Sequence, residues 1–100
     1  MRKLLNPNPP QVPTGLKADS TTVTTVNISW SPVGYGGGIK EYQVFRNGKQ
    51  VGVSSTPSYK DTGLTGDTTY SYQVIAVGNN GLSSTLSTGL SVKTSVSTGS

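Results

Sequence analysis

The chain has 100 residues, a formal net charge of +4 and 31% hydrophobic residues. This length fits one domain with a two-layer core and leaves little material for a deep pocket as well. Only 12% of the residues are charged, whereas glycine, serine and threonine are abundant, a composition that favours β-strands and turns over long helices. The absence of cysteine and histidine excludes disulfides, thiolate nucleophiles and metal sites built from these residues.

The basic residues are scattered along the chain. No run of the sequence interleaves basic with aromatic residues, as proteins that bind single-stranded nucleic acid do. We therefore expect solvated surface charges and no nucleic-acid partner. The apolar stretch near the start is Leu4 and Leu5 alone, too short for a signal peptide or a membrane span, so no membrane partner is expected. The scattered residues are Lys17, Lys40, Arg46, Lys49, Lys60 and Lys93.

Both ends of the chain have the composition of linkers. Residues 6–13 are rich in proline, and such segments are extended and stiff. Residues 96–100 contain only serine, threonine, glycine and one valine, which is typical of a flexible tail. The sequence therefore predicts a leader and proline-rich linker over 1–12, one domain over 13–95 and a short linker over 96–100.

The first half of the predicted domain contains two strands and a glycine-rich loop. A short first strand is expected to carry Leu16 and Ala18. The stretch "VNISW" then alternates, with Val26, Ile28 and Trp30 on one face, as in a half-buried antiparallel strand. The stretch "SPVGYGGG" comes next, and its consecutive glycines predict a loop.

The second half begins with a hairpin. Apolar residues alternate before the dipeptide "NG" at residues 47–48, which is favoured where both turn residues need positive φ. A brief strand around Tyr59 and the long stretch "TYSYQVIAV", residues 69–77, come after it. Residues 78–81, "GNNG", predict a turn before a last strand that carries Leu90 and Val92. Seven short strands separated by turns predict an all-β, antiparallel β-sandwich.

These residues resemble the fibronectin type III domain, an immunoglobulin-like sandwich, over residues 13–95. The resemblance rests on Pro13 with Leu16, on "VNISW", on "YQVFRNGK" and on "GLTGDTTYSYQVIAV". In the last motif the family shows a leucine six residues before a tyrosine, which matches Leu64 and Tyr70. The family often has Pro-Gly in the intervening turn, where this chain has Gly66-Asp67.

The resemblance implies that Tyr70 is a tyrosine corner, whose hydroxyl bonds to the backbone upstream. Tyr70 and Tyr72 are thus expected to hold the fold together, and Tyr72 is expected to share a buried face with Val74. The residues that we expect to form the structural core are Trp30, Tyr42, Leu64, Tyr70, Tyr72 and Val74.

The four acidic residues do not have the spacing of a catalytic site. A glycosidase needs two carboxylates that face each other across a cleft, and a small sandwich with a filled core has none. We expect these acids to be solvated or to form turns, and we expect the module by itself to be no enzyme. No catalytic, cofactor-binding or metal-binding residue is predicted. The four acids are Asp19, Glu41, Asp61 and Asp67.

Two aromatic residues are candidates for contact with a carbohydrate. Tyr35 lies in the glycine-rich loop, and Phe45 is expected on the outward face of the hairpin. A lone exposed tyrosine in a flexible loop is usually only surface. Cell-binding members of the family present Arg-Gly-Asp before the last strand, whereas residues 78–82 here read "GNNGL", so integrin binding is not predicted.

In its composition and motifs the sequence resembles the fibronectin type III modules of bacterial extracellular polysaccharide hydrolases, chitinases and cellulases among them. This resemblance implies a monomeric spacer or scaffold in a secreted multidomain glycoside hydrolase, without a cofactor. Its partners would be the neighbouring domains, with insoluble polysaccharide as a further candidate. Two alternatives stay open: a carbohydrate-binding module, and a protein-interaction or adhesion module of a cell-surface or phage protein.

Overall fold

The computed structural model describes residues 8–96, which form seven strands. Within this range no helix is long and apolar enough to cross a membrane. The strands are β1 (Lys17–Thr21), β2 (Val26–Ser29), β3 (Ile39–Arg46), β4 (Lys49–Ser54), β5 (Ser58–Asp61), β6 (Thr69–Gly78) and β7 (Leu90–Lys93).

The strands form two antiparallel sheets. One sheet has the order β1-β2-β5, and the other has the order β4-β3-β6-β7. Side chains alternate between the two faces of a strand, so each sheet has one inner and one outer face. The two inner faces pack against each other. The predicted seven-stranded β-sandwich is thereby confirmed.

The core lies between the two sheets. Val26, Ile28 and Trp30 are buried on the inner face of the smaller sheet, as their alternation predicts. The ring of Trp30 meets the ring of Tyr42 edge-on, with centroids 5.4 Å apart. Among residues 8–96, the Trp30 indole Nε1 is the only buried side-chain nitrogen or oxygen without a hydrogen-bond partner. An unpaired donor costs about 1–3 kcal/mol, which the burial of the large ring has to offset.

The hairpin between β3 and β4 turns at the predicted dipeptide. Asn47 and Gly48 both have positive φ, 53° and 84°, as a two-residue turn of this kind requires. The turn also attaches to the neighbouring strand, since Asn47 accepts a hydrogen bond at Oδ1 from the Ser71 N–H, 2.9 Å, and donates its own N–H to the Ser71 carbonyl, 2.7 Å. The turn is therefore attached to the first part of β6 by two hydrogen bonds.

The first strand differs from the prediction. β1 begins at Lys17, after Leu16, and Ala18 is exposed instead of packed. The register of β1 against β2 shifts between Ala18 and Ser20, and such a bulge breaks the simple alternation. Pro10, which the sequence assigned to an extended linker, is buried.

The edge of the larger sheet beside β6 has two different structures. β7 pairs with the first part of β6 in a regular ladder. Beyond it, two serines bond to β6 without forming a strand. The Val74 N–H donates to Ser87 Oγ and the Ala76 N–H to Ser84 Oγ, both at 2.9 Å, and the backbone N–H groups of the two serines donate back to the Val74 and Ala76 carbonyls. The sequence reasoning missed both serines, because no hydrophobic periodicity marks them.

Candidate functional site

The predicted core residues lie where the two sheets face each other. Tyr72 has no exposed surface, and Tyr70 is partly buried against the cluster that the others form. The fully or nearly buried members of the predicted set are Trp30, Tyr42, Leu64, Tyr72 and Val74.

Tyr70 fastens a loop to β6. Its hydroxyl accepts a hydrogen bond from the Thr65 N–H at 3.0 Å, and the loop between β5 and β6 contains Thr65. The Arg46 guanidinium lies over the Tyr70 ring, 5.7 Å from its centroid, within the range of a cation–π contact. The phenol thus contacts the backbone upstream and a cation on a neighbouring strand.

Tyr72, two residues further along β6, points to a buried carboxylate. Its hydroxyl donates to Asp61 Oδ2 at 2.7 Å. Arg46 Nη1 donates to both oxygens of the same carboxylate, at 2.8 and 2.7 Å. Asp61 ends β5 and Arg46 ends β3, so this triad connects the two sheets.

The triad corrects two predictions. Asp61 was expected to be solvated or to form a turn, but it is only 4% exposed. Arg46 was expected to be a solvated surface charge, but its guanidinium is paired with Asp61 and only 28% of its side chain is exposed. A buried carboxylate needs a partner of opposite charge and further hydrogen bonds, and Arg46 and Tyr72 provide both.

The environment of the triad shifts the pKa of its members. Burial, followed by the hydrogen bond to Asp61, raises the pKa of Tyr72. The hydrogen bond to Asp61 is the main cause that raises the pKa of Arg46. Burial and then the nearby Asp61 charge raise the pKa of Tyr59. The phenols therefore stay neutral and the guanidinium stays charged, which is the combination that holds a structural ion pair.

The other acids lie apart from the triad and make surface contacts. Asp19 accepts from the Ser29 hydroxyl at 3.0 Å, Glu41 accepts from the Gln43 amide at 3.2 Å, and Asp67 pairs with Lys93 at 3.0 Å. Asp67 has a positive φ of 53°, in agreement with its predicted turn. Across residues 8–96, no three acidic residues lie close enough together to hold a metal ion.

Tyr35 lies at the opposite end of β6 from the triad. A methyl group on Gly78 would lie 2.5 Å from Tyr35 Cε2, so the ring rests directly on this glycine. The Tyr35 hydroxyl donates to the Asn8 carbonyl and accepts from Asn80 Nδ2 at 2.9 Å. Tyr35 was expected to be exposed and isolated, but it is half-buried and hydrogen-bonded on two sides.

A shallow groove adjoins Tyr35, with a volume of about 350 Å³. The glycine-rich loop, the turn after β6 and the segment that precedes the first strand contribute to it. The residues that line the groove are Asn8, Tyr35, Gly36, Gly37 and Asn80.

Phe45 does not share this groove. It lies between Gln50 and Gln73 in the ladder of the larger sheet, on the face opposite to the buried Val44, and it is half-buried. The structure thus separates the two predicted carbohydrate contacts, with Tyr35 at one end of the sandwich and Phe45 on the outer face of a sheet.

All five tyrosines of the chain are hydrogen-bonded through their hydroxyls. Beyond the three already described, the Tyr42 hydroxyl accepts from the Val33 N–H at 3.0 Å, and the Tyr59 hydroxyl donates to the Val51 carbonyl at 3.1 Å. A phenol combines a large apolar ring with a polar tip that needs a partner. Here each hydroxyl bonds to another segment of the chain, as expected of tyrosines that stabilise a fold.

Proteins of known activity contain similar segments. Exoglucanase B of Cellulomonas fimi is 46% identical over 87 residues, which cover 85% of this chain and 8% of that protein. Chitinase Chi52 of Paenibacillus xylanexedens is 45% identical over 87 residues, 87% of this chain and 17% of the chitinase. The poly(3-hydroxybutyrate) depolymerase of Ralstonia pickettii is 46% identical over 65 residues, 65% of this chain and 13% of the depolymerase. The chain spans less than a fifth of each of these relatives.

The fold is shared with solved structures. The fibronectin type III domain of human fibronectin type III domain containing protein 3 superimposes with a TM-score of 0.80 at 21% identity, over 95% of this chain and 94% of that one. The family model of the fibronectin type III domain matches residues 9–93. On this match, the chain belongs to the fibronectin type III family.

Proposed function

We propose that this domain is a non-catalytic accessory module that spaces neighbouring domains in a secreted, multidomain bacterial enzyme. The observation that carries the proposal is where the chain enters and leaves. Asn8 contacts Tyr35 at the Gly78 end of β6, whereas the Thr94 N–H donates to the Thr68 carbonyl at the other end. β6 has ten residues and therefore spans about 30 Å, so the module would hold a domain on its N-terminal side apart from a domain on its C-terminal side.

The relatives support an accessory role. Their names give a glucan, chitin and a polyester as the polymers acted on, and the segment similar to this chain is a minor part of each protein. A polyester and a glucan share no repeating unit, so recognition of one sugar does not explain why the same module accompanies them. Holding domains apart would serve each of these enzymes equally. Because an exoglucanase and chitinases are among the relatives, we favour a glycoside hydrolase as the parent protein, and an extracellular location.

The described carboxylates also favour a role without catalysis. Asp61, the buried acid, is occupied by Arg46 and Tyr72. Glu41 bonds to Gln43 on the outer face of the larger sheet, so it does not face Asp61 across a cleft. General acid–base catalysis by a carboxylate pair needs both groups at one substrate.

The spacing role can be tested in the full-length parent protein. In one variant an unrelated folded domain of similar length replaces residues 9–93, and in a second variant a short glycine-serine linker replaces them. If the module is a spacer, the folded replacement keeps the activity on insoluble polymer and the short linker lowers it. The reason is that the distance between the neighbouring domains determines whether both can reach the polymer at once. Activity on a soluble substrate should change in neither variant. Loss of activity in the variant with the folded replacement would contradict the proposal.

The groove beside Tyr35 favours a second candidate function, carbohydrate binding. An aromatic ring with amide groups around it can contact a sugar ring and its hydroxyls. The test is depletion of the purified chain by insoluble chitin, cellulose and xylan, with Tyr35→Ala and Phe45→Ala as variants. Saturable depletion that Tyr35→Ala abolishes and Phe45→Ala leaves intact would establish the groove as a binding site. A spacer predicts no depletion by any of the polymers.

A further inference from the structure

We propose that the Tyr35 side chain is a clamp that holds the segment 8–14 against the sandwich and so fixes the direction in which the chain enters the module. We name this segment the entering segment. The inference deepens the proposed spacing function and rests on it. It concerns how stiff the spacer is, since two domains joined through a fixed segment keep a mutual orientation that a flexible linker does not maintain.

The loop between β2 and β3, residues 30–38, holds the entering segment at two points. Near one end of the segment, the Tyr35 hydroxyl donates to the Asn8 carbonyl. At the other end, the Ser31 N–H donates to the Thr14 carbonyl at 2.8 Å. Two attachments of one segment to one loop restrict its direction, whereas a single attachment would leave a pivot.

The chemistry of the segment suits such a clamp. It contains three prolines, which have a fixed φ and no N–H, so the segment offers mainly carbonyl acceptors to the domain. A phenol O–H and a backbone N–H are the matching donors. Pro10 and Pro13, between the two attachment points, are buried, so the segment also packs against the domain at these two prolines.

The position of Tyr35 is itself fixed. The ring rests on Gly78, where no side chain separates it from the strand, and Asn80 Nδ2 donates to its hydroxyl at 2.9 Å. The loop that contains Tyr35 is in turn held by Asn79, whose side-chain amide donates to the Gly37 carbonyl at 2.8 Å. Because Asn80 donates to the hydroxyl oxygen, the hydroxyl proton is left to point toward Asn8. The other two contacts hold the ring and its loop in place, so the clamp does not depend on the glycine-rich loop being rigid by itself.

The test uses Tyr35→Phe in the 100-residue chain. The variant keeps the ring on Gly78 and removes only the hydroxyl. Backbone order parameters from ¹⁵N relaxation are measured for Asn8, Gln11 and Val12. We expect values of about 0.85, typical of rigid backbone, in the unsubstituted chain, and in the variant a fall below about 0.6 at Asn8 with a smaller fall at Gln11, which lies between the buried Pro10 and Pro13.

The matched control is Tyr59→Phe. It also removes only a hydroxyl that donates to a backbone carbonyl, that of Val51, and in the described part of the chain Tyr59 makes no hydrogen bond to the entering segment. We expect unchanged order at Asn8 and Gln11 in this control. Unchanged order in Tyr35→Phe, or values already below about 0.6 in the parent chain, would overturn the clamp.

The clamp and the spacing function fail in different experiments. The relaxation measurement needs only this chain, whereas the spacing function is tested by domain replacement in the parent protein. If order at Asn8 does not change in Tyr35→Phe but the replacement experiment supports spacing, the clamp is wrong and the module spaces domains without fixing their direction. If the order falls while the replacement experiment fails, the clamp stands and its purpose is a different one.

Discussion

The two ends of β6 are held by tyrosines in different ways. Near its start, Tyr72 donates to the buried Asp61, which also pairs with Arg46. At its end, Tyr35 contacts neutral groups only, the Asn8 carbonyl and the Asn80 amide. The first cluster contains opposite charges in the interior, and the second contains dipoles at the surface.

The comparison distinguishes contacts that stabilise the whole domain from contacts that order only the entering segment. A buried carboxylate that loses its partners destabilises the whole domain, because the remaining charge or hydroxyl cannot reach water. A surface hydroxyl that is lost exposes groups that water can satisfy. We therefore expect substitutions near the start of β6 to change global stability and substitutions at its end to change local order.

The largest effect is expected for Asp61→Ala. The substitution leaves Arg46 and the Tyr72 hydroxyl without their shared acceptor, and breaking a buried pair in this way costs about 3–5 kcal/mol. Because part of the Arg46 side chain is exposed, we expect the lower end, about 3 kcal/mol, in urea unfolding. Asp19→Ala, at an exposed acid, is the control and should cost less than about 1 kcal/mol. Equal losses in the two variants would remove the distinction between the buried and the surface acid.

Alkaline pH should lower the stability of the domain through the tyrosines near Asp61. The pKa values of Tyr72 and Tyr59 are raised above 10.0 in the fold, so above that pH the unfolded chain releases protons that the folded chain retains. This contribution to stability is complete below pH 10 and is lost as the pH rises through the folded pKa values. Melting temperatures measured from neutral to strongly alkaline pH should fall less steeply for Tyr72→Phe. If the melting temperature of Tyr72→Phe falls as steeply with pH as that of the unsubstituted chain, Tyr72 does not contribute to the loss of stability.

A smaller loss is expected for Tyr70→Phe. The hydroxyl makes one hydrogen bond, to the Thr65 N–H, and a typical hydrogen bond of this kind contributes about 1 kcal/mol. The ring and its contact with Arg46 remain in the variant. A thermal melt compared with that of the parent chain measures the loss, and no change at all would show that Tyr70 is not a structural corner.

The smallest effect on global stability is expected for Tyr35→Phe. The hydroxyl lies at the surface, so water can replace its contacts, and surface substitutions usually stay within about 0.5 kcal/mol. Urea unfolding should therefore give nearly the parent value, even though the order of the entering segment falls. A loss as large as that of Tyr70→Phe would mean that the two ends of β6 are equivalent for stability.

Local patterns predicted most of the strands and the hairpin turn, although not the bounds of β1. The alternation of Val26, Ile28 and Trp30 comes directly from the two-residue period of a strand. Asn47-Gly48 was predictable because few other dipeptides tolerate positive φ at both positions. The contact of Tyr70 with the upstream backbone was predictable only through the resemblance to the fibronectin type III family, in which a tyrosine six residues after a leucine forms this corner.

The clusters at the two ends of β6 were not predictable in this way. The burial of Asp61 depends on Arg46, 15 residues away, and on the packing of β5 against the end of β3. The hydroxyl of Tyr35 meets Asn8, 27 residues upstream, and Asn80, 45 residues downstream. A pattern within a short window contains no information about such pairs, and an acid or a tyrosine in a loop looks solvated until its partner is known.

The serines beside β6 affect how copies of this domain behave next to each other. An open sheet edge with a regular row of free N–H and carbonyl groups can pair with the edge of another chain. Here Ser84 and Ser87 satisfy the N–H groups of Ala76 and Val74 through their side chains, and the backbone at these positions is not a strand. This stretch of the edge therefore offers no continuous ladder to a neighbouring copy, so edge-to-edge association of tandem modules would be disfavoured on this side of the larger sheet, whereas β4 at its opposite edge is a regular strand.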